Sequence, residues 1–318
     1  MSTQGSSAPS SSGPSSALVA DWYEQWIATY KVGAVQRVTL GKYTMALKRL
    51  REIAPDLRLA DLDRMAYQRI INAYAVDHEK ATVTDFHHCL KGALLDALDE
   101  GLLERDPTRK VVLKGKPPGK KKQKYLSVYE LQSLLRVLKL DGEHNWDWCI
   151  LIAAKTGLRF AEVLGLTPAD FDFERQLLNV DKTWDYKGGG GFKPTKTGSS
   201  VRKVTIDWQM VGRLSVLTKD MPPDDPIFVP KDCTIYNSTV NGVLARRCKE
   251  AEVPVIGFHG LRHTHASMLL ASGVSIASVS RRLGHASIDI TQKVYLHVVK
   301  ELESKDTDAI MRSMATLL

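Results

Sequence analysis

Long apolar runs are missing from this sequence. Nowhere in its 318 residues does one approach the roughly 18–20 residues that a membrane helix needs, so a membrane partner is not expected. The basic start and apolar core of a secretory signal are missing too. Residues 1–17 are mainly Ser, Gly, Pro and Ala and read as a disordered leader. Cysteine is sparse: Cys89, Cys149, Cys233 and Cys248 form no CxxC pair. That spacing argues against a zinc site of the usual kind and against a disulfide framework. The four read as reduced thiols of a cytoplasmic protein. No internal repeat is visible.

Negative charge is missing from one stretch. Between Arg109 and Lys124 there is no acid, while Arg109, Lys110, Lys114, Lys116, Lys120, Lys121, Lys122 and Lys124 are all basic. These eight charges equal the whole net charge of +8. Such a block is either a solvated linker or, more reasonably, a surface lying beside a polyanion.

Helical periodicity organises the first third. Trp22, Trp26 and Tyr30 recur four residues apart. Tyr43, Leu47 and Leu50 continue in a second helix that Pro55 ends. Met65 to Ala75 and Val83 to Leu98 supply two more. Residues 18–113 therefore read as a four-helix bundle. The Pro-, Gly- and Lys-rich stretch 114–124 reads as an extended basic linker between domains. Ser127 with Glu130 forms a capping box that opens the next helix. Trp146 to Lys155 is a buried helix stopped by Gly157, and another starts near Phe160. The period then changes. Leu177–Thr183 and Val201–Ile206 read as strands joined through the Gly188–Gly191 run. Helices return at Thr239–Ala251, His259–Ser272, Ile276–Leu283 and Asp289–Val299, followed by a last amphipathic piece over 301–318. The fold class is mainly α, with a small antiparallel sheet in a C-terminal domain over 125–300.

Several residues carry chemistry. Arg159 follows a glycine break and is placed to grip two phosphate oxygens; Glu162, three residues on, either orients it or merely pairs with it. Lys196 sits in a turn beside Lys193, and spacing alone does not choose between them. His259 and Arg262 share one face at the positive end of a helix, where an anion is favoured. His259 and His263 also have the spacing of metal ligands, but the HExxH glutamate is missing and Arg262 would repel a cation. Arg281 and Arg282 are candidate phosphate contacts just before the Leu283-Gly284-His285 loop. Tyr295 follows. A tyrosine with an ordinary pKa near about 10 becomes a nucleophile only if cations favour the phenolate and a base takes the proton.

Arg159, Lys196, His259, Arg262, His285 and Tyr295, in this order, resemble the signature of the tyrosine recombinases, the phage integrase family. The stretches TGLRFAE, HGLRHTHAS and LGHASIDITQKVY carry the likeness. The bundle plus basic linker resembles that family's core-site DNA-binding domain. Many integrases carry a separate arm-site domain; only the Ser-rich leader stands ahead of the bundle here, so that domain is expected to be either absent or removed.

The resemblance implies that Tyr295 attacks a DNA phosphodiester to give a 3′-phosphotyrosine and a free 5′-hydroxyl. Arg159, Arg262 and His285 then hold the non-bridging oxygens, His259 is the base, and Lys196 protonates the leaving oxygen. Neither a metal nor any other cofactor is implied. The partners implied are double-stranded attachment sites, three further copies in a tetramer on two duplexes, and a directionality factor. The Lys114, Lys116, Lys120, Lys121, Lys122 and Lys124 cluster would lie on DNA, and the helix over 301–318 on a neighbouring protomer. A type IB topoisomerase and a non-catalytic DNA-binding regulator are the rival readings.

Overall fold

A computed structural model describes residues 16–119, 123–141, 144–195, 197–231, 233–293 and 295. The leader up to residue 15, Lys120, Lys121, Lys122, Lys196 and the C-terminal helix expected over 301–318 lie outside the described residues. The chain forms two compact units, the first ending at Lys121 and the second beginning at Lys122.

The first unit contains α1 (Val19–Tyr30), α2 (Arg37–Ile53), α3 (Arg64–Ala75) and α4 (Lys80–Asp99). The aromatic stripe of α1 is only partly inward. Trp26 and its stacked neighbour Tyr23 are buried, whereas Tyr30 is 46 % exposed. Indole N–H groups pin the register of α1 against α4: Trp22 donates to the Ala93 carbonyl and Trp26 to the Asp96 carboxylate. Asp63 caps α3 by accepting from the Ala66 N–H, which satisfies one otherwise orphaned donor.

The described part of the basic linker is anchored to the first unit. Residues up to Gly119 lie along the bundle. Lys116 N–H donates to the His78 carbonyl at 2.8 Å, and Gly119 N–H donates to Glu79 Oε1 at 3.0 Å. A Cβ at Gly115 would come within 2.3 Å of the Lys80 nitrogen. The backbone donors of Lys116 and Gly119 thus find acceptors on the bundle.

The second unit opens with α5 (Val128–Arg136), on the Ser127–Glu130 capping box that its sequence announces. It continues with α6 (Trp146–Thr156) and α7 (Phe160–Leu164). Strands β1 (Phe171–Asp172), β2 (Leu177–Val180), β3 (Lys182–Trp184), β4 (Phe192–Pro194) and β5 (Arg202–Thr205) follow. Helices α8 (Trp208–Thr218), α9 (Asn237–Glu250), α10 (Phe258–Ala271) and α11 (Ile276–Leu283) complete the named elements, and residues 288–293 are helical.

The expected single hairpin is two sheets. Strand β2 lies between β1 and β5, all antiparallel, with Leu178 opposite Val204. A separate β3–β4 hairpin pairs Thr183 with Lys193 across the glycine run. The change comes at Asp181, whose carboxylate takes hydrogen bonds from Asn179 and Lys182. Helix α8 was not foreseen, although Asp207 caps it at the Gln209 and Met210 N–H groups. The core of this unit surrounds α6, in which Trp148 to Ala154 are all buried.

Candidate active site

Two glycine-ended helices and α10 between them build the site. Helix α6 ends at Gly157, which is left-handed with φ 72°. A Cβ there would also strike Leu283 at 2.7 Å and His265 at 2.8 Å, so glycine is needed for conformation and for space. The break lets Arg159 start α7. Its N–H donates to Glu162 Oε2 at 2.8 Å and its Nη1 to Oε1 at 2.8 Å. Its Nη2 reaches the Gly284 carbonyl at 3.4 Å, yet the side chain stays 38 % exposed. Arg159 is therefore oriented and still open to a ligand.

Arg262 stands on α10 and is buried. It donates to two carbonyls at helix ends: Gly157 at 2.8 Å and Leu283 at 2.6 Å. Burial and the nearby Arg159 work against its positive charge. An incoming anion would relieve both.

Gly284 ends α11 with φ 67° and turns the chain to His285. The His285 Nδ1 lies 2.7 Å from the buried Thr291 hydroxyl. That leaves Nε2 as the ring nitrogen for a ligand. Burial, then Arg262, Arg159 and Arg202, push the His285 pKa down to about 4, so the ring is neutral at pH 7.

Tyr295 is buried, and its hydroxyl lies 3.0 Å from Nδ1 of His263. Burial pushes its pKa up to about 12, and Arg262 pulls in the opposite direction. His263 is pushed down to about 4 by burial, His259, Arg262 and Lys124. His259 is lowered as well, by burial, Arg262 and Arg159. The His259 and His263 rings stand perpendicular with centroids 4.8 Å apart. Among the described residues no group of three or more metal-ligating side chains forms.

Arg159, His259, Arg262, His285 and Tyr295 thus converge on one region of the second unit. Lys196 lies outside the described residues. Its neighbour Lys193 is on β4 and is ion-paired with Asp185, so that ammonium already has a partner. Arg282 corrects its expected role as a phosphate contact. Its guanidinium donates to His265 Nε2, to the Thr205 hydroxyl and carbonyl, and to the Lys155 carbonyl. Adjacent residues on a helix point about 100° apart, and here Arg281 is exposed while Arg282 turns inward. Lys114, Lys116 and Lys124 are exposed, and Lys116 pairs with Asp77.

Sequence reasoning passed over His263 and Arg202. His263 was visible only as a ligand spacing and was set aside with the metal. Arg202 carried no signal beyond its charge.

With the geometry in hand, comparison with known proteins is decisive. The sequence model of the Phage integrase family matches residues 124–301. The chain belongs to this family, the tyrosine-type site-specific DNA recombinases. It is 27 % identical over 282 residues to a XerC-like tyrosine recombinase of Caldanaerobacter subterraneus subsp. tengcongensis, covering 80 % of this chain and 72 % of that one. It is 27 % identical to the transposase of transposon Tn916 of Enterococcus faecalis, covering 76 % of this chain and 63 % of that protein. The integrase of Staphylococcus phage L54a is 24 % identical over 90 % of this chain and 89 % of its own. Among solved structures, the Tn1549 transposon integrase in complex with transposon right end DNA superposes with a TM-score of 0.73 at 19 % identity. That match covers 91 % of this chain and 99 % of the other. A lambda integrase dimer bound to a core site gives 0.64 at 17 %, over 88 % and 78 %. These integrases share the mainly helical fold with small antiparallel sheets. No helix among the described residues is long and apolar enough to cross a membrane.

Proposed function

We propose that this chain breaks and rejoins DNA at attachment sites of a mobile element, with Tyr295 as the nucleophile. The observation that carries the reading is the Tyr295 hydroxyl, held 3.0 Å from a neutral imidazole and beside the Arg262 charge. The tyrosine oxygen attacks phosphorus, its O–H proton passes to an imidazole, and the P–O5′ bond breaks. The leaving 5′-oxygen takes a proton from Lys196. Arg159, Arg262 and His285 stabilise the charge on the non-bridging oxygens as it grows in the transition state.

The base deserves a revised assignment. His263, and not His259, is in hydrogen-bond contact with the phenol, and reach comes before pKa in choosing a base. Its low pKa makes it a weak acceptor in the free protein. A bound phosphate would offset the Arg262 charge that helps depress it, so substrate strengthens the base. His259, one turn earlier, completes the imidazole pair.

The 5′-hydroxyl of a second strand reverses the reaction, and two rounds pass through a Holliday junction. Double-stranded attachment sites, a tetramer on two duplexes and a directionality factor belong to this reading. It is supported by transposon and phage integrases among the relatives and by DNA in the Tn1549 and lambda structures. The experiment is adduct formation on a nicked suicide duplex. Tyr295→Phe is expected to abolish the covalent protein–DNA species while leaving DNA binding intact. An adduct that survives in the Phe variant overturns the assignment.

A further inference from the structure

Arg202, on β5, stands where three segments of the site meet. Its Nε donates to the Arg282 carbonyl at 2.7 Å, and its Nη1 to the Ser200 carbonyl at 2.9 Å. The fork then closes on both oxygens of Glu162: Nη1 to Oε1 at 3.2 Å and Nη2 to Oε2 at 3.0 Å. The side chains are 7 % and 2 % exposed. The same two oxygens serve Arg159, one its guanidinium and the other its backbone N–H. One buried carboxylate therefore lies between two guanidinium groups.

This sharing has a consequence for Arg159. Burial alone would push the Glu162 carboxyl up, but the hydrogen bonds and charge of Arg202, with Arg159 behind them, outweigh it and hold it ionised. A carboxylate facing Arg159 alone would claim its whole charge. With Arg202 meeting much of that demand, Arg159 can be oriented by Glu162 and still have charge to offer a phosphate. The second contact runs to the other side of the site. A Cβ on Gly284 would come within 3.1 Å of Arg202 Nη1, the Ser199 oxygen and the Ser200 Cα. The loop that presents His285 therefore lies flat on the turn that Arg202 holds.

We infer that Arg202 is a positioning residue of the phosphate grip. It holds Glu162 so that Arg159, and through the end of α11 also His285, converge on the non-bridging oxygens of one phosphate. The inference rests on the recombinase reading and adds a residue to it.

The test uses nicked duplexes recovered from a randomised pool by adduct formation with the wild-type chain. Each is then made in three forms: the ordinary phosphodiester, a neutral methylphosphonate at the scissile position, and a 5′-bridging thioester of phosphate whose leaving group needs no acid. A variant short of positive charge on the phosphate is helped by the methylphosphonate. A variant short of the acid is helped by the sulfur. Arg202→Met is expected to form adduct about a hundredfold more slowly on the phosphodiester, the scale of a misplaced catalytic group. It should recover on the methylphosphonate in parallel with Arg159→Ala, while Lys196→Ala recovers on the sulfur substrate.

Arg202→Lys, which keeps the cation but cannot fork, is measured alongside. It carries the same partition if the Met variant does not fold. Recovery on the sulfur substrate, equal losses on all three, or no loss at all each overturn the inference. A pool that yields no adduct with the wild-type chain sinks the recombinase reading itself, so the two failures are distinguishable.

Discussion

The two units are stabilised in different ways. Among the described residues, the buried polar side chains of the first unit are His87 and Thr108. Its ion pairs, such as Lys42 with Asp85 and Arg51 with Glu24, are at the surface. The second unit buries Asp147, Glu162, Asp170, Arg262 and His265, with eight Ser and Thr residues besides. Nearly all these groups have partners; Ser267 Oγ has none among the described residues. Apolar packing is enough to shape a bundle. A site that must aim several charged groups needs directional contacts, and those operate at short range where water is excluded. Part of the polar load of the second unit, Glu162 and Arg262, is thus tied to the site, while Asp147 and Asp170 are ion-paired with Arg247 and Lys182.

The sharpest way to break this comparison is Arg262→Ala. It removes a cation from the proposed phosphate site and leaves two helix-end carbonyls unanswered. Adduct formation should fall by roughly a thousandfold, and stability by roughly 3 kcal/mol or more, since hydrogen bonds from charged groups are the strong ones. Rapid-quench kinetics and urea melts read the two effects separately. A variant with wild-type stability would show that the carbonyl contacts are idle.

Next in size is Glu162→Ala, which strands Arg202 among buried atoms. The expected cost is about 3–5 kcal/mol, as for other buried pairs with one partner removed. Lys42→Ala, breaking a pair whose side chains are 61 % and 64 % exposed, should change stability little. Equal shifts in the urea midpoints of these two variants would erase the distinction between the units.

Acid separates the units more gently. Unfolded histidines take a proton near about pH 6.5. Folded His263 and His285 do so only near about 4, and His265 near about 3. Between those limits the unfolded chain holds more protons, so stability falls as pH is lowered through that window and is untouched above it. Glu162, held below the usual range, adds a further loss as pH falls through its folded pKa. In the first unit only His87, among the described residues, is pushed down. Peptide-resolved hydrogen exchange at pH 7 and 4.5, corrected for intrinsic rates, should show the second unit loosening first. Uniform loosening would count against the buried imidazoles as the cause.

The smallest expected effect is Ser267→Ala. Because that hydroxyl lacks a partner among the described residues, its removal should leave thermal stability unchanged or raise it by up to about 1 kcal/mol. A clear loss would reveal a partner.

Much of this was readable from the sequence, and the exceptions share a cause. The capping box at Ser127, the stop at Gly157 and the four helices of the bundle depend on neighbours in the chain, and short spacings announce them. Arg159 and Glu162 were visible for the same reason. Arg202, by contrast, bonds Glu162 from 40 residues away, and Arg282 reaches the Lys155 carbonyl across 127. The charge of Arg282 suggested a phosphate contact and Arg202 drew no reading; only folding supplied the buried acceptors of both. The sheet was misjudged because a strand signal from Leu177 to Thr183 says nothing about which partner each part of it takes.

Arg262 serves two masters, gripping the carbonyls of Gly157 and Leu283 in the chain alone while standing at the proposed phosphate position. In a lineage whose element has stopped moving, selection for strand cleavage lapses, but selection for a foldable chain does not. The Tyr295 hydroxyl is then free to be lost, while its buried ring and Arg262 stay. A descendant that keeps this arginine has shown only that it still folds, and on the mechanism proposed above the loss of the Tyr295 hydroxyl is what would mark when the enzyme fell silent.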